Sequence, residues 1–380
     1  MLKRIGIGQL GYGGIGKVHA HAYRSIGGYY PGVLPEIKLV AVAASSRASS
    51  EKAAAEGGFE RAYTTIEELV ADPDVTVIDC SLPNFVHKQA IEAALAAGKH
   101  IYCEKPLCVN GAEARELLQK AGRSSSLVGM TFNYRFVPAI VRARALVEAD
   151  ALGEIYNFRF VYLHTGYQDP SRPASWRMQS ELAGGGALFD LGSHVIDLAR
   201  FLLGEIAEVN ATSATYVTER PRSKGSTEAV PVTVDDAMWL HARLSSGATG
   251  SFEVSRFATG SLDDLRFRIE GKKGALTFSL MDGNWLYWYD ATKSGGAYGG
   301  ELGWTRLETA SYFPGAAIPT PRSILGWERT HAENQYRFLK SITDGTRPSP
   351  GLEDGAAVQL VMEAAYESVK RRGWVQTPSL

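Results

Sequence analysis

The chain has 380 residues, 45% of them hydrophobic, which exceeds what one hydrophobic core usually serves and calls for two domains. Lys plus Arg number 40 against 41 Asp plus Glu, so the electrostatic footprint of a protein that lives on nucleic acid or an anionic membrane is absent and the expected partner is a small molecule. No apolar run is long enough to span a bilayer, and the first residues enter a strand-like pattern without a basic segment, apolar core and cleavage site; the expected location is the cytoplasm.

From Arg4 to about Phe132 short β-rich runs alternate with helical stretches. The strand candidates are Ile5 to Gly8, Ile37 to Val42, Val75 to Asp79, His100 to Cys103 and Leu127 to Thr131. Thr65 with Glu68 spells a capping box, and the Ala-rich amphipathic run Gln89 to Ala97 closes on Gly98. This rhythm predicts a parallel sheet with right-handed crossovers, a Rossmann-type α/β domain over residues 1–150. Val137 to Asp150 reads as one further helix. Longer strands then follow at Tyr156 to Tyr162, Ala237 to Leu244 and Ala248 to Phe257. Gly271-Lys272-Lys273-Gly274 is a hairpin turn between Arg266 to Ile269 and Ala275 to Leu280, and Trp285 to Tyr289 adds an aromatic strand. Residues 151–380 are therefore expected to form a second α/β domain with a large, open, mainly antiparallel sheet. Its outer face should be apolar enough to bury against a second copy, giving a homodimer or homotetramer. Gly295 to Pro321 reads as a long functional loop, and helices over Glu328 to Thr343 and Leu352 to Arg371 close the chain, free to pack back on the first domain.

The first strand runs into Gly11-Tyr12-Gly13-Gly14-Ile15-Gly16 and then a helical run, Lys17 to Ser25. This G-x-G-x-x-G allows a tight turn at Gly11, close approach of a pyrophosphate at Gly13, and packing of helix on strand at Gly16. The helix N-terminus offers free N–H groups to the phosphates. After the second strand the chain reads Ala44-Ser45-Ser46-Arg47, with no carboxylate for the adenosine ribose and a guanidinium for a 2′-phosphate. NADP is thus expected in preference to NAD, the other reading of Arg47 being a solvated loop residue.

Cys103-Glu104-Lys105-Pro106 stands at the carboxyl end of a strand, where ligands bind in open α/β sheets; taken alone the Glu-Lys pair could equally be a surface ion pair. Gly184-Gly185-Gly186 opens a helix that carries Asp190, His194 and Asp197 among apolar neighbours. Asp190 and His194, four apart, share one face, either as chemistry or as an internally satisfied pair; Asp197 is read as structural. Cys80, Cys103 and Cys108 neither pair evenly nor show metal-site spacing, and no compact ligand set with His87 and His194 is evident, so no metal is expected.

These segments, with Pro83-Asn84-Phe85-Val86-His87, Ala97-Gly98-Lys99-His100 and Asn133-Tyr134-Arg135-Phe136, resemble the glucose-fructose oxidoreductase, inositol dehydrogenase and rhizopine catabolism (Gfo/Idh/MocA) group of oxidoreductases over nearly the whole length. The resemblance implies a dehydrogenase that moves a hydride between a nicotinamide and a carbinol carbon of a sugar, anhydrosugar or cyclitol. It implies Lys105, Asp190 and His194 as the catalytic set, with His194 accepting the proton and Lys105 stabilising the alkoxide-like oxygen, while the role of Asp190 stays open. The cofactor set it implies is Gly11, Gly13, Gly14, Ile15, Gly16, Ser45, Ser46, Arg47, Ser81, Pro83, Asn84, His87, Glu104, Lys105, Asn133 and Arg135. For the substrate, Tyr167, Trp176 and Arg177 join Lys105, Asp190 and His194, since aromatic faces with hydrogen-bonding rims suit a pyranose or cyclitol. Trp176 could also be plain core packing, and His331 either a pocket residue or a surface histidine. Two rival functions are a redox-assisted glycosidase that recycles a bound cofactor and a non-catalytic dinucleotide-sensing regulator, the latter disfavoured by the intact Lys105, Asp190 and His194.

Overall fold

The computed structural model of the protein describes residues 4–310, 313–320 and 323–380. Strands β1 (Arg4–Leu10), β2 (Glu36–Ala43), β3 (Arg61–Tyr63), β4 (Val77–Cys80), β5 (His100–Cys103) and β6 (Val128–Met130) alternate with helices α1 (Gly14–Tyr29), α2 (Arg47–Gly57), α3 (Ile66–Ala71), α4 (Asn84–Ala96) and α5 (Gly111–Ala121). Next come α6 (Pro138–Glu148), β7 (Ile155–Leu163), α7 (Ser180–Ala183), α8 (Ser193–Leu203), β8 (Ile206–Ala214), β9 (Glu219–Pro221) and β10 (Ala229–Pro231). The chain continues through β11 (Ala237–Leu244), β12 (Thr249–Ser255), β13 (Asp264–Gly271), β14 (Gly274–Ser279), β15 (Trp285–Asp290) and β16 (Trp304–Glu308), then α9 (Trp327–Asp344), α10 (Leu352–Arg371) and β17 (Val375–Gln376). None of the described helices is long and apolar enough to cross a membrane.

Two compact units result, Met1–Phe136 with Ser311–Ala356, and Val137–Ala310 with Ala357–Leu380. The first is built on a parallel sheet of order β3-β2-β1-β4-β5-β6. Strand order reverses between β1 and β4, the switch point where open α/β sheets bind ligands. The Thr65–Glu68 capping box forms as the sequence spells it. Ile5, Ile7, Val42, Val77 and Tyr102 of the sheet share a core with Tyr23 and Ile26 of α1 and Tyr336, Phe338 and Leu339 of α9. The return of α9 onto this unit is fixed by Tyr30 and Tyr336, whose rings stack with centroids 3.5 Å apart, and by the Tyr30 hydroxyl, which donates to Glu333 Oε2 at 2.5 Å.

The second unit holds a nine-stranded sheet of order β16-β15-β14-β13-β7-β12-β11-β8-β17, in which β7 and β12 pair in parallel and the other neighbours run antiparallel. The Gly271–Gly274 hairpin joins β13 to β14 as expected. Period-2 alternation puts Phe158, Phe160, Phe252 and Phe267 on the inner face, all 2% exposed or less, each worth about 1.5–3 kcal/mol in burial. The outer face is mixed in character. It carries Arg159, Arg266, Arg268 and Glu270, with Glu270 accepting from both Arg159 (3.4 Å) and Arg268 (2.8 Å). The Arg159–Glu270 pair crosses from β7 to β13 while Arg268–Glu270 lies within β13, and the exposed Trp239 of β11 shares this face. The segment taken as a loop from Gly295 to Pro321 contains β16, whose Trp304, Thr305 and Arg306 are exposed; Ser311, Tyr312 and Pro321 lie outside the described residues.

Candidate active site

In the first unit the glycine turn is held from beneath. Gln9, fully buried on β1, donates from Nε2 to the carbonyls of Gly11 (2.9 Å) and Gly16 (2.7 Å), a brace the sequence pattern did not reveal. Gly11 has φ +87, and a Cβ there would sit 2.9 Å from Ser81 O; at Gly16 it would sit 2.6 Å from Gly11 O. These two glycines are required by the fold itself. Gly13 and Gly14 are different, because a Cβ at either would meet no protein atom within 4 Å, so the demand for glycine there comes from what approaches from outside. Helix α1 starts at this spot with no side-chain cap and no acidic residue in its first turn, which leaves its N–H groups and positive dipole end to an anion. The residues fit the pyrophosphate of a dinucleotide, with Ile15 at the half-exposed rim of the cradle.

At the end of β2, Ser45 and Ser46 are exposed and Ser46 caps α2, accepting from the Ser49 N–H. Arg47 is not free: its Nε meets Glu51 at 2.7 Å and its Nη1 donates to Ala62 O at 3.1 Å. Both side chains of that ion pair are more than half exposed, so it is worth only a few tenths of a kcal/mol, about 0.3–0.5.

The ends of β4 and β5 meet in register at Cys80 and Cys103, which places Ser81 and Glu104 side by side at the switch point. Ser81 Oγ reaches Asp79 Oδ1 at 3.3 Å, and Pro83 leads into α4. Glu104 is buried, and its Oε2 accepts from the Lys105 N–H at 3.1 Å. Its Oε1 lies 3.1 Å from His19 Nε2, off the line of a good hydrogen bond, and therefore acts as an ion-pair partner. Burial opposes ionisation of Glu104, but His19 and Lys105 outweigh it and hold the carboxyl below its ordinary range. Lys105 itself is half-buried.

His87, expected beside the cofactor, is fully buried: Nδ1 lies 2.9 Å from Pro106 O and Nε2 2.8 Å from Leu82 O. It braces the two loops that carry Pro83 and Lys105, and burial lowers its pKa. Asn84 is also buried, Asn133 donates to Thr330 Oγ1 at 3.0 Å, and Arg135, 4% exposed, pairs with Asp354 at 2.8 Å. The Asn133 and Arg135 side chains are committed to holding α9 and the start of α10. His331 is 2% exposed, so the surface reading of it is excluded.

The three cysteines are buried and none is in a disulfide. The expectation that no compact ligand set exists needs correction. Cys80, His87 and Cys103 form one such set and His19, Glu104 and His331 another, with ligand atoms within 4.8 Å of one another. Strand register and the α9 return bring together residues that sequence spacing keeps apart. Both ring nitrogens of His87 lie against backbone carbonyls and both of His19 against carboxylates.

In the second unit, the segment predicted as one helix is two pieces, a π-helical turn over Leu188–Gly192 followed by α8. Its start is fixed by Asp235, a residue the sequence did not single out. The Asp235 carboxylate accepts from the N–H groups of Gly186 (2.8 Å) and Leu188 (2.9 Å) and from the Tyr366 hydroxyl. Gly186 is required because a Cβ there would stand 1.8 Å from Asp235 O. Asp190 emerges from the π turn half-exposed, and π turns recur at functional sites. His194 is buried to 8% exposure, with Tyr162 edge-on at 6.0 Å, and Asp197 is fully inside as read. Tyr167 lies under two guanidinium groups, Arg172 at 4.3 Å and Arg256 at 4.5 Å. Trp176 is partly buried, with Arg177 over its ring at 4.3 Å.

Residues 5–132 match the model of the oxidoreductase family with an NAD-binding Rossmann fold, and residues 140–277 match the GFO/IDH/MocA C-terminal domain. The chain is 33% identical over 392 residues to levoglucosan dehydrogenase of Pseudarthrobacter phenanthrenivorans, covering 100% of both, and 27% identical to inositol 2-dehydrogenase of Rhizobium meliloti, covering 96% of this chain and 97% of that one. It superposes on levoglucosan dehydrogenase in complex with NADH and levoglucosan with a TM-score of 0.92 at 33% identity, over 99% of this chain and 100% of that one. An oxidoreductase domain protein from Kribbella flavida gives a TM-score of 0.93 at 35% identity over 100% of both. With both family models matched in sequence order and Glu104 and Lys105 directly following β5 of the Rossmann sheet, the chain belongs to the GFO/IDH/MocA family of oxidoreductases.

Proposed function

We propose that this protein is a sugar dehydrogenase that transfers a hydride between a nicotinamide dinucleotide and a carbinol carbon of an anhydrosugar of the levoglucosan type. The observation that carries this reading is the end-to-end likeness to levoglucosan dehydrogenase, a protein solved with NADH and levoglucosan, in a chain that also retains Lys105, Asp190 and His194. A cyclitol is the second substrate class, supported by the more distant inositol dehydrogenase relative.

When bound, the nicotinamide supplies the hydride acceptor or donor. The chain's own residues do the rest. The Gly11–Gly16 turn and the α1 N-terminus hold the pyrophosphate, and Ser45, Ser46 and Arg47 face the adenosine ribose. The His194 imidazole takes the hydroxyl proton as the carbon is oxidised, and returns it in reduction. The Lys105 ammonium stabilises the negative charge that develops on that oxygen. Asp190 orients the hydroxyl, and Tyr167, Trp176 and Arg177 contact the sugar through aromatic faces and a hydrogen-bonding rim.

For the coenzyme, we infer NAD with NADP accepted. The solved levoglucosan dehydrogenase complexes contain NADH, which supports NAD, while Arg47, held only by a weak exposed pair with Glu51, is still able to meet a 2′-phosphate. The absence of a carboxylate in Ala44-Ser45-Ser46-Arg47 leaves nothing to repel a 2′-phosphate. Coenzyme reduction measured over anhydrosugars, aldoses, cyclitols and glycosides tests the whole reading. Net reduction with an anhydrosugar is the expected result. Release of an aglycone from a glycoside without net reduction would instead identify a redox-assisted glycosidase.

A further inference from the structure

His19 lies on α1, five residues beyond the start of that helix, and is fully buried. Its ring is held between two carboxylates: Nδ1 is 3.0 Å from both oxygens of Asp79, and Nε2 is 3.1 Å from Glu104 Oε1. Only a ring with a proton on each nitrogen satisfies both ends. Asp79 is further held by the Tyr23 hydroxyl at 2.9 Å, and the second oxygen of Glu104 accepts from the Lys105 N–H at 3.1 Å. His331 and Tyr102 close the chamber, with ring centroids 5.6 Å and 5.5 Å from that of His19. Asp79 and His19 are 0% exposed and Glu104 is 7% exposed.

Such a chain of buried charges is a poor way to gain stability. Desolvating each ion costs several kcal/mol, on the order of what the pairing returns, and well-packed apolar residues commonly do as well. What the chain does achieve is placement. It starts on the helix whose N-terminus faces the cofactor cradle and ends on the backbone N–H of Lys105. We propose that His19 is a positioning residue that acts through the Glu104 carboxylate to fix the Lys105 backbone, and hence the lysine ammonium, for the reaction. This inference rests on the role given to Lys105 above. Asp79 serves as the counter-ion that keeps His19 doubly protonated.

The test exploits the two ends of the ring. His19→Gln places an amide donor near the Nε2 position and keeps the link to Glu104; His19→Asn places it near Nδ1, keeping the link to Asp79 and losing the one to Glu104. The proposal expects His19→Asn to lose about tenfold to a hundredfold in kcat, the scale of a small misplacement of a catalytic group, with the dinucleotide Kd and thermal midpoint close to those of His19→Gln. His19→Gln should stay within about threefold of wild type. In a Lys105→Ala background His19→Asn should cost nothing further, because residues that act as a unit are not additive. Nitrogen NMR shifts of the wild-type ring should show both nitrogens protonated well above the ordinary histidine range.

Equal losses in the two variants, or an additive loss on Lys105→Ala, would reveal a packing role and overturn the proposal. So would wild-type turnover in His19→Asn. If His19→Asn does not fold, Glu104→Gln takes its place, and a folded Glu104→Gln with wild-type kcat overturns the proposal equally. An active Lys105→Ala enzyme would sink the functional reading itself, whereas an inactive Lys105→Ala beside an active His19→Asn sinks only the positioning role.

Discussion

Arg256 Nη2 lies 3.3 Å from Asp190 Oδ2, with the arginine side chain 3% exposed and the aspartate side chain 35% exposed. A buried cation thus stands behind a carboxylate that reaches solvent, and the same guanidinium sits over the ring of Tyr167 at 4.5 Å. Arg256 links two residues proposed to meet the sugar, although nothing in its sequence neighbourhood marks it.

Removing that cation should weaken sugar handling and spare dinucleotide binding. Arg256→Met keeps bulk and loses the charge-assisted contact, typically worth about 1.5–3 kcal/mol, so kcat/KM for the sugar should fall about ten- to a hundredfold. Arg256→Lys should recover part of the loss, and dinucleotide Kd should not move. A uniform loss in all three measurements would show that Arg256 only supports the fold.

Two glycines separate a fold requirement from a ligand requirement. Gly186→Ala drives a Cβ against Asp235 O, and it should destabilise the protein by an amount at the upper end for single substitutions, about 3 kcal/mol or more, read from denaturant unfolding. Gly13→Ala meets no protein atom, so its unfolding midpoint should match wild type while dinucleotide Kd rises at least about tenfold. Unchanged binding in Gly13→Ala would remove the pyrophosphate from this turn.

Coenzyme choice should prove permissive. With no carboxylate after β2 and with an Arg47–Glu51 pair too weak to hold the guanidinium, kcat/KM for NAD and NADP should differ by less than about tenfold in favour of NAD. Arg47→Ala should lower the NADP value more than the NAD value. Strict exclusion of NADP by the wild type would show that other groups face the adenosine ribose.

Stability should peak near the ordinary histidine pKa. His19 is pulled down by burial, yet Asp79 and Glu104 raise it to about 10; the native state holds a proton there that the unfolded chain releases, so stability falls as pH rises from about 6.5 towards 10. His331 is pushed down to about 3 by burial and by the charges of His19 and Lys105, so the unfolded chain binds a proton that the native state refuses. Stability is therefore lost as pH falls from about 6.5 towards 3. The charged and titratable groups around these two rings are Tyr23, Asp79, Tyr102, Glu104 and Lys105. Unfolding midpoints across pH for wild type and His331→Gln check this, the variant losing part of the acid-side slope and keeping the alkaline one.

The parallel sheet of the first unit was legible because its strands are short apolar runs between Gly-rich or capped helix ends, and β5 matches its predicted bounds, His100–Cys103. Arg61–Tyr63 and Trp304–Glu308 were missed, since an edge strand with three polar or half-exposed residues carries no apolar alternation. Local motifs gave Lys105, Asp190 and His194 as candidates. His19, Asp79, Asp235 and Arg256 escaped because their partners lie far along the chain, 60 residues between His19 and Asp79 and 66 between Arg256 and Asp190. A buried ionisable residue inside an apolar strand or helix was the available signal, and Asp79 in Val77-Ile78-Asp79-Cys80 displays it.

The central claim, that a sugar hydroxyl loses its proton to His194 as its carbon loses a hydride, meets its most direct test in the turnover of His194→Ala with an anhydrosugar substrate. Steady-state coenzyme reduction, dinucleotide Kd and unfolding midpoint should be taken on one preparation. The account predicts a folded protein with wild-type dinucleotide affinity and a kcat lower by about two to four powers of ten, the usual cost of removing an acid-base group. A folded His194→Ala enzyme that binds the dinucleotide normally and turns over within about threefold of wild type would contradict it.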